Sequence, residues 1–360
     1  MAVVLIPDDL HSRRGRFVLR ALLERYGPSS VIWVTRKRTV SETKIHTDTF
    51  DKYSPGLVGD WHVISVKTLR SSIPRLRTIL RKSTGPLVGI GFASLALARA
   101  GGSVLDVWVV RGIPEELTMH RSSPLARADA WGRWRIAWLA GKPALAIAVS
   151  EPMARLLTKR TRAQRVVTIP NTVRPSTFEP PAEDAPPRRY LTYLGSGAPW
   201  QAIDLLEDVW REAARLDPNV RFRVITRDDR ARDLAARIGE RADVESETNG
   251  SAIGRWLWEA NAGFLLRRPG IVNEASWPVK LGEYLAAGVP VVTTDIAWDP
   301  ADFVRDTGTG IVVQPTDPPR QIAERVLELI ASGISVERTR AAAGRLDERM
   351  WLDRLVAMLP

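Results

Sequence analysis

The chain has 360 residues, 44% hydrophobic and 26% charged, which is the size and composition of a globular protein with two domains. It has no cysteine and four histidines, His11, His46, His62 and His120, with no close pair. That excludes disulfides, thiol catalysis and Cys-based metal sites, argues against a histidine-rich one, and leaves no metal site to assign. The net charge of +11 is uneven: residues 1–170 hold 28 Lys+Arg against 12 Asp+Glu, or +16, and residues 171–360 hold 24 against 29, or −5. The basic half suits an anionic partner (membrane surface, lipid diphosphate or nucleic acid) or is a solvated arginine-rich surface. No apolar run is long enough for a signal peptide or a bilayer span. The chain therefore reads as cytoplasmic, or peripheral on the inner face of the plasma membrane.

In chain order, Ala2–Pro7 is a short apolar strand and His11–Arg16 a basic loop. Phe17, Leu19, Leu22 and Leu23 then form a helical stripe through Tyr26, stopped by Gly27-Pro28. Val31–Val34 is a buried strand. This order opens a doubly wound sheet, whose ligands lie at the strands' carboxyl ends, where Arg13, Arg14 and Gly15 fall. Residues 36–60 read as a long loop or short edge strands, His62–Val66 as a strand and Ile73–Leu80 as a helix. Strand Leu87–Ile90, helix Ala93–Ala100 and strand Val104–Val110 follow. The last runs into Arg111-Gly112-Ile113-Pro114-Glu115-Glu116. Arg111 and the Glu pair thus sit at a strand's carboxyl end, as ligands for an acceptor or as an ordinary helix start. Over residues 125–142, Trp131, Trp134 and Trp138 share one helix face, flanked by Arg127, Arg133 and Arg135. Tryptophan beside arginine suits a membrane interface, but such a stripe is more often core, and core is the reading adopted. Ala144–Val149 is a strand, Ser150 caps a helix from Pro152, and Val166–Ile169 is a strand.

Residues 171–188, rich in Pro and acidic residues, read as a linker. Tyr190–Leu194 is then a strand, and Gly195-Ser196-Gly197 lets backbone approach a ligand closely before helix Ile203–Leu216. Arg221–Thr226 is a strand ending at Thr226-Arg227. Helices Leu234–Ile238 and Ala252–Glu259 and strand Ala262–Leu266 follow. Asn273–Pro278 is polar, broken by proline and read as loop. Val279–Ala287 is a helix with an apolar stripe of Leu281, Tyr284 and Leu285. Gly288 sits where a helix ends in a left-handed residue, Pro290 forbids continuation, and Val291–Thr294 is a strand. Pro300–Asp306 is a short helix, Ile311–Val313 a strand and Gln321–Ile330 a helix. Residues 336–360 read as helical. The start of the 279–287 helix matters most. Its unpaired N–H groups and positive dipole end suit an anion, Lys280 adds a cation, and Glu283 can accept from sugar hydroxyls.

The stretch Ser276-Trp277-Pro278-Val279-Lys280 through Glu283-Tyr284, Ala286, Gly288 and Pro290-Val291 resembles the nucleotide-sugar site of GT-B glycosyltransferases of the family-4 type, in the variant S-x-P-x-K-x-x-E-Y-x-A-x-G-x-P-V. In that family the Glu binds the ribose, and the preceding loop holds diphosphate and sugar. The wider family has an earlier Glu where this chain has Ala275, with Glu274 one residue off. The family's Arg and Lys diphosphate clamp after the first strand aligns with Ser196 and Gln201. A subgroup reading Y-x-G-S/G-x-x-x-W-Q, typical of polysaccharide-assembling transferases, matches better through Tyr193-Leu194-Gly195-Ser196 and Trp200-Gln201. Arg227 or Arg267 could then assist Lys280. The run Arg111–Glu116 resembles the acceptor-domain loop of the same group.

The resemblance implies an α/β, GT-B fold: two Rossmann-like doubly wound domains facing a cleft. Residues 1–170 would bind acceptor, 171–188 link, 189–335 bind the nucleotide-sugar, and 336–360 pack back on the first domain. It implies a retaining, metal-independent transferase with no cofactor, since the nucleotide-sugar is a substrate. A UDP- or GDP-sugar would be the donor, and a lipid-linked or polysaccharide glycan the acceptor. The implied catalytic residues are Lys280, Glu274, Arg111 and Glu115. Donor contacts would come from Gly195, Ser196, Gly197, Thr226, Arg227, Asn273, Ser276, Val279, Lys280 and Glu283. Acceptor contacts would come from Arg13, Arg14, Gly15, Arg111, Glu115 and Glu116. The partners are then donor, glycan acceptor and an anionic membrane surface, with no nucleic acid. A non-catalytic transferase-like module and, below it, a basic nucleic-acid binder are the alternatives.

Overall fold

The computed structural model describes residues 2–7, 13–35, 56, 58–65, 69–120, 123–178, 187–246 and 250–360. It divides into two compact units, residues 1–170 with 349–360, and residues 171–348. Each is built on an all-parallel sheet, as alternating strands and helices require.

Unit 1 carries β1 (Val3–Pro7), α1 (Arg13–Tyr26), β2 (Ser29–Thr35), β3 (Val58–Ser65), α2 (Leu69–Lys82), β4 (Leu87–Ile90), α3 (Phe92–Ala100), β5 (Val107–Val109), α4 (Glu116–His120), α5 (Pro124–Leu139), β6 (Leu145–Ala148), α6 (Glu151–Arg160) and β7 (Arg165–Thr168). The strand order is β3-β2-β1-β4-β5-β6-β7. Helix α1 begins at Arg13, so part of the expected basic loop, Arg13 to Arg16, is helical. Arginine is a good helix former, and the buried Phe17, Val18, Leu19, Ala21 and Leu22 anchor the turn that these residues extend. The expected loop or edge strands at 36–60 lie largely outside the described residues. Strand β3 starts at Val58, ahead of the expected His62. As expected, Ser150 caps α6 by accepting from Met153 N–H at 3.2 Å.

Unit 2 carries a 3-10 turn at Pro175–Phe178, then β8 (Tyr190–Leu194), α7 (Ile203–Leu216), β9 (Arg221–Ile225), α8 (Asp229–Ile238), β10 (Ala242–Glu245), α9 (Gly250–Trp258), β11 (Ala260–Leu265), α10 (Ile271–Glu274), α11 (Val279–Ala286), β12 (Val291–Thr294), α12 (Asp299–Thr307), β13 (Gly310–Val313), α13 (Pro319–Ser332) and α14 (Val336–Gly344). The order β10-β9-β8-β11-β12-β13 puts β8 beside β11. Crossing between them reverses the winding, and such a switch point opens a ligand crevice at the carboxyl ends. In the core of unit 2, Trp210 stacks on Phe222 and meets Phe264 edge-on, with ring centroids 4.9 and 5.9 Å away.

Residues 336–360 are two helices, not one. Helix α14 belongs to unit 2, while α15 (Glu348–Met358) buries Leu355 among the core of unit 1, followed by Leu359. The chain changes partner between them, so the helix must break. Helix α11 ends as its sequence reads. Gly288 is left-handed at φ 78°. Its N–H donates to Leu285 O at 3.0 Å and Val289 N–H to Tyr284 O at 2.9 Å, the paired bonds of a Schellman stop.

Candidate functional site

The loops that leave β8, β9, β11 and β12 share the carboxyl edge of the unit 2 sheet, and α11 starts there. Tyr284 locks that helix to the sheet. Its hydroxyl accepts Leu194 N–H at 2.8 Å and lies 3.3 Å from Phe264 O, so one side chain ties α11 to β8 and β11. Burial pushes the Tyr284 phenol well above its ordinary pKa, so it stays protonated. No side chain caps α11, and its first turn holds no acidic residue. The dipole there is left for other charges.

Lys280, in that first turn, is buried. Its Nζ lies 3.1 Å from Gln201 Oε1 and 4.6 Å from the centroid of the Tyr193 ring. Burial, followed by the nearby Arg267, holds its pKa well below the usual lysine value, with Glu283 opposing. Gly195 makes room for the ammonium. It has φ 145°, and a Cβ there would stand 2.3 Å from Lys280 Nζ.

Arg267 follows the last residues of β11 and is also buried. Its backbone N–H donates to Thr294 Oγ1 at 2.8 Å, and that hydroxyl donates back to Arg267 O at 2.8 Å. Nη1 reaches Trp200 O at 3.4 Å. Among the described residues, Nε has no hydrogen-bond partner and the guanidinium makes no ion pair. Burial lowers its pKa to about 10. Two buried cations thus share one corner with the single carboxylate of Glu283, a costly arrangement that a further anion would relieve.

The other expected donor residues fall at the same edge, with varied occupations. Tyr193 OH donates to Ser196 O at 2.6 Å, which fixes the turn through Ser196. Gly197 rests on the start of α8, where a Cβ would be 2.5 Å from Arg230 Cβ. Thr226 is buried and its Oγ1 accepts Asp228 N–H at 3.0 Å, whereas Arg227 is exposed. Asn273 Nδ2 donates to Arg268 O at 2.8 Å and Trp200 O at 3.2 Å. Ser276 Oγ donates to Asn273 O at 2.8 Å. Asn273 and Glu274 are part of helix α10, not loop. Glu274 Oε1 accepts Gly270 N–H at 3.0 Å and closes this one turn. Val279 is the first residue of α11, and Glu283, one turn beyond Lys280, is buried. Tyr193 went unweighed in the sequence. Arg267 had the signal that singled out Arg227, a cation just past a strand's carboxyl end.

In unit 1, Arg111 follows β5. Glu115 accepts Trp134 Nε1–H at 3.0 Å and pairs with Arg160. Glu116 Oε1 accepts Ile113 N–H at 3.2 Å, and burial raises its pKa. Both carboxylates therefore hold the loop before α4. A pocket of about 490 Å³ opens beside Glu115, walled by Arg127, Trp131, Trp134 and Arg160. Arg13, Arg14 and Gly15 lie in the first turn of α1.

Residues 188–332 match the family described as Glycosyl transferases group 1. A search of curated proteins gave no match. Among solved structures, WaaG, a glycosyltransferase involved in lipopolysaccharide biosynthesis, is 14% identical with a TM-score of 0.68, covering 100% of this chain and 99% of that one. HepE of Anabaena, in complex with UDP and glucose, is 12% identical with a TM-score of 0.72, covering 99% and 98%. TarM of S. aureus, in complex with UDP, fondaparinux and alpha-GlcNAc-glycerol, is 10% identical with a TM-score of 0.65, covering 99% and 98%. Residues 188–332, from β8 to α13, are thus similar to the group 1 glycosyltransferase family, and the chain as a whole has the two-sheet GT-B fold.

Proposed function

We propose that the protein transfers a sugar, with retention at the anomeric carbon, from a UDP- or GDP-sugar to a lipid-linked or polysaccharide acceptor of the cell envelope. The observation that carries this reading is the buried pair Lys280 and Arg267 beside the open start of α11. A diphosphate would add negative charge to a corner that holds two cations beside the one carboxylate of Glu283. As the bond from the anomeric carbon to the diphosphate breaks, charge grows on the leaving oxygen. The ammonium, the guanidinium and the helix N–H groups would stabilise it. Glu283 would orient the ribose from one turn further along. The presence of UDP in the HepE and TarM complexes favours a uridine donor, and the role of WaaG favours an envelope glycan.

In this site Arg267 and Lys280 take over from the Arg and Lys that the related motif has at Ser196 and Gln201. Gln201 serves instead to hold Lys280. The test is a thermal-shift panel of UDP- and GDP-sugars on wild type, Lys280→Ala and Glu283→Ala, followed by transfer to a lipid-linked acceptor using the best donor. A shift in wild type that both variants lose is the expected result. No shift with any sugar nucleotide, or equal shifts in all three proteins, would overturn the assignment.

A further inference from the structure

We propose that the outward face of α5 is a docking surface for an anionic lipid bilayer. The helix is firmly built. Ser123 Oγ accepts Ala126 N–H at 3.2 Å at its start, and Ala126, Ala130, Trp134 and Ala137 bury its inner side. Trp134 is 7% exposed and packs edge-on against Phe92 at 5.0 Å. Of the expected core stripe, only Trp134 is core. Trp131 is 66% exposed and Trp138 45%.

Leu125 at 82%, Ile136 at 45% and Leu139 at 57% stand out on the same side. At 100° per residue, these three and the two tryptophans cover the arc opposite the buried alanines. Among the described residues, seven large apolar side chains are exposed, and five of them lie on this helix. A patch of this kind on a protein surface marks an interaction site.

The charges around it name the partner. Arg135 lies over Trp131 at 5.6 Å and over Trp138 at 6.0 Å, and Arg162 lies over Trp138 at 5.1 Å. Arg127 is exposed at the near end. Asp129, the one acidic residue of α5, is paired with Arg133 at 3.3 Å. Indole rings capped by guanidinium groups match the headgroup zone, where the ring sits at the interface and the cation meets phosphate. The +16 of residues 1–170 adds long-range attraction to an anionic leaflet. Among the described residues no helix is long and apolar enough to cross a membrane. Helix α5 would lie in the plane of the surface and sink its apolar side chains.

None of these residues belongs to the donor corner of unit 2, so the surface and the donor assignment are tested separately. The experiment is co-sedimentation of the full chain with phosphatidylglycerol–phosphatidylcholine vesicles and with phosphatidylcholine vesicles, at low and high salt. Two double variants accompany it, Trp131→Ala with Trp138→Ala and Leu125→Ser with Leu139→Ser, each checked for an unchanged melting temperature. Wild type should partition about tenfold more onto the anionic vesicles, lose most of that in high salt, and lose about tenfold in either variant. Brominated lipid should quench wild-type tryptophan fluorescence more than that of the Trp131/Trp138 variant. The proposal fails if wild type does not sediment with anionic vesicles, or if both variants bind as wild type does. It also fails if sedimentation velocity shows a dimer that either variant dissolves, since the face would then belong to a second copy of the chain.

Discussion

The ammonium of Lys280 and the amide oxygen of Gln201 are 3.1 Å apart, so the residue standing where the related motif has a cation instead supports a cation from elsewhere. Gln201, in the loop after β8, and Lys280, in the first turn of α11, thus meet at one sheet edge.

Lys280→Met should stabilise the ligand-free protein. The folded pKa of Lys280 lies below its unfolded value of 10.5, so the unfolded chain binds more protons between the two. The stability penalty is fully present below the folded pKa and vanishes as pH rises to the unfolded one. The variant should melt on the order of 3 °C higher at neutral pH, with the gain shrinking in alkali, and should lose any UDP-induced shift. Differential scanning calorimetry across pH decides this. A lower melting temperature would refute it.

Binding of UDP should take up a proton. A diphosphate beside Lys280 favours the charged ammonium, so its pKa rises on binding. Titration calorimetry in buffers of different ionisation enthalpy should show uptake that grows with pH towards about one proton. Lys280→Met should show none.

Gly195→Ala should fail on two counts. The new Cβ meets Lys280 Nζ at 2.3 Å, and the φ of 145° is foreign to alanine. A loss of about 1–3 kcal/mol is expected, along with weaker UDP binding. Chemical denaturation and a nucleotide titration measure each effect.

Tyr284→Phe removes the acceptor for Leu194 N–H, a bond of 2.8 Å between buried groups. Stranding that N–H should cost about 1–3 kcal/mol. Urea denaturation of the variant should show this loss, with Lys280 still able to respond to UDP.

Much of this was legible in the sequence because local chemistry dictated it. The stripe Leu281, Tyr284, Leu285 with Gly288 and Pro290 specifies a helix, a left-handed stop and a strand, and that is what forms. The sequence named Arg227 and Arg267 alike as cations that could assist Lys280, and the choice of Arg267 was not legible. It depends on β8 lying next to β11, and periodicity carries no strand order. The local occupation of Glu274 is explained by spacing, because a carboxylate four residues past Gly270 can close its own turn. The tryptophans of α5 share a face by spacing alone. Which part of that face is covered was decided by Phe92 and Glu115, neither of them near in sequence.

Unit 1 takes Leu355 and Leu359 into the same core as Phe17 and Val107. On a ribosome, the first 170 residues would emerge long before the segment that finishes their interior. They would wait, partly open, while all of unit 2 was made. The interior of unit 1 is thus complete only once residues 349–360 have been made, after all of unit 2.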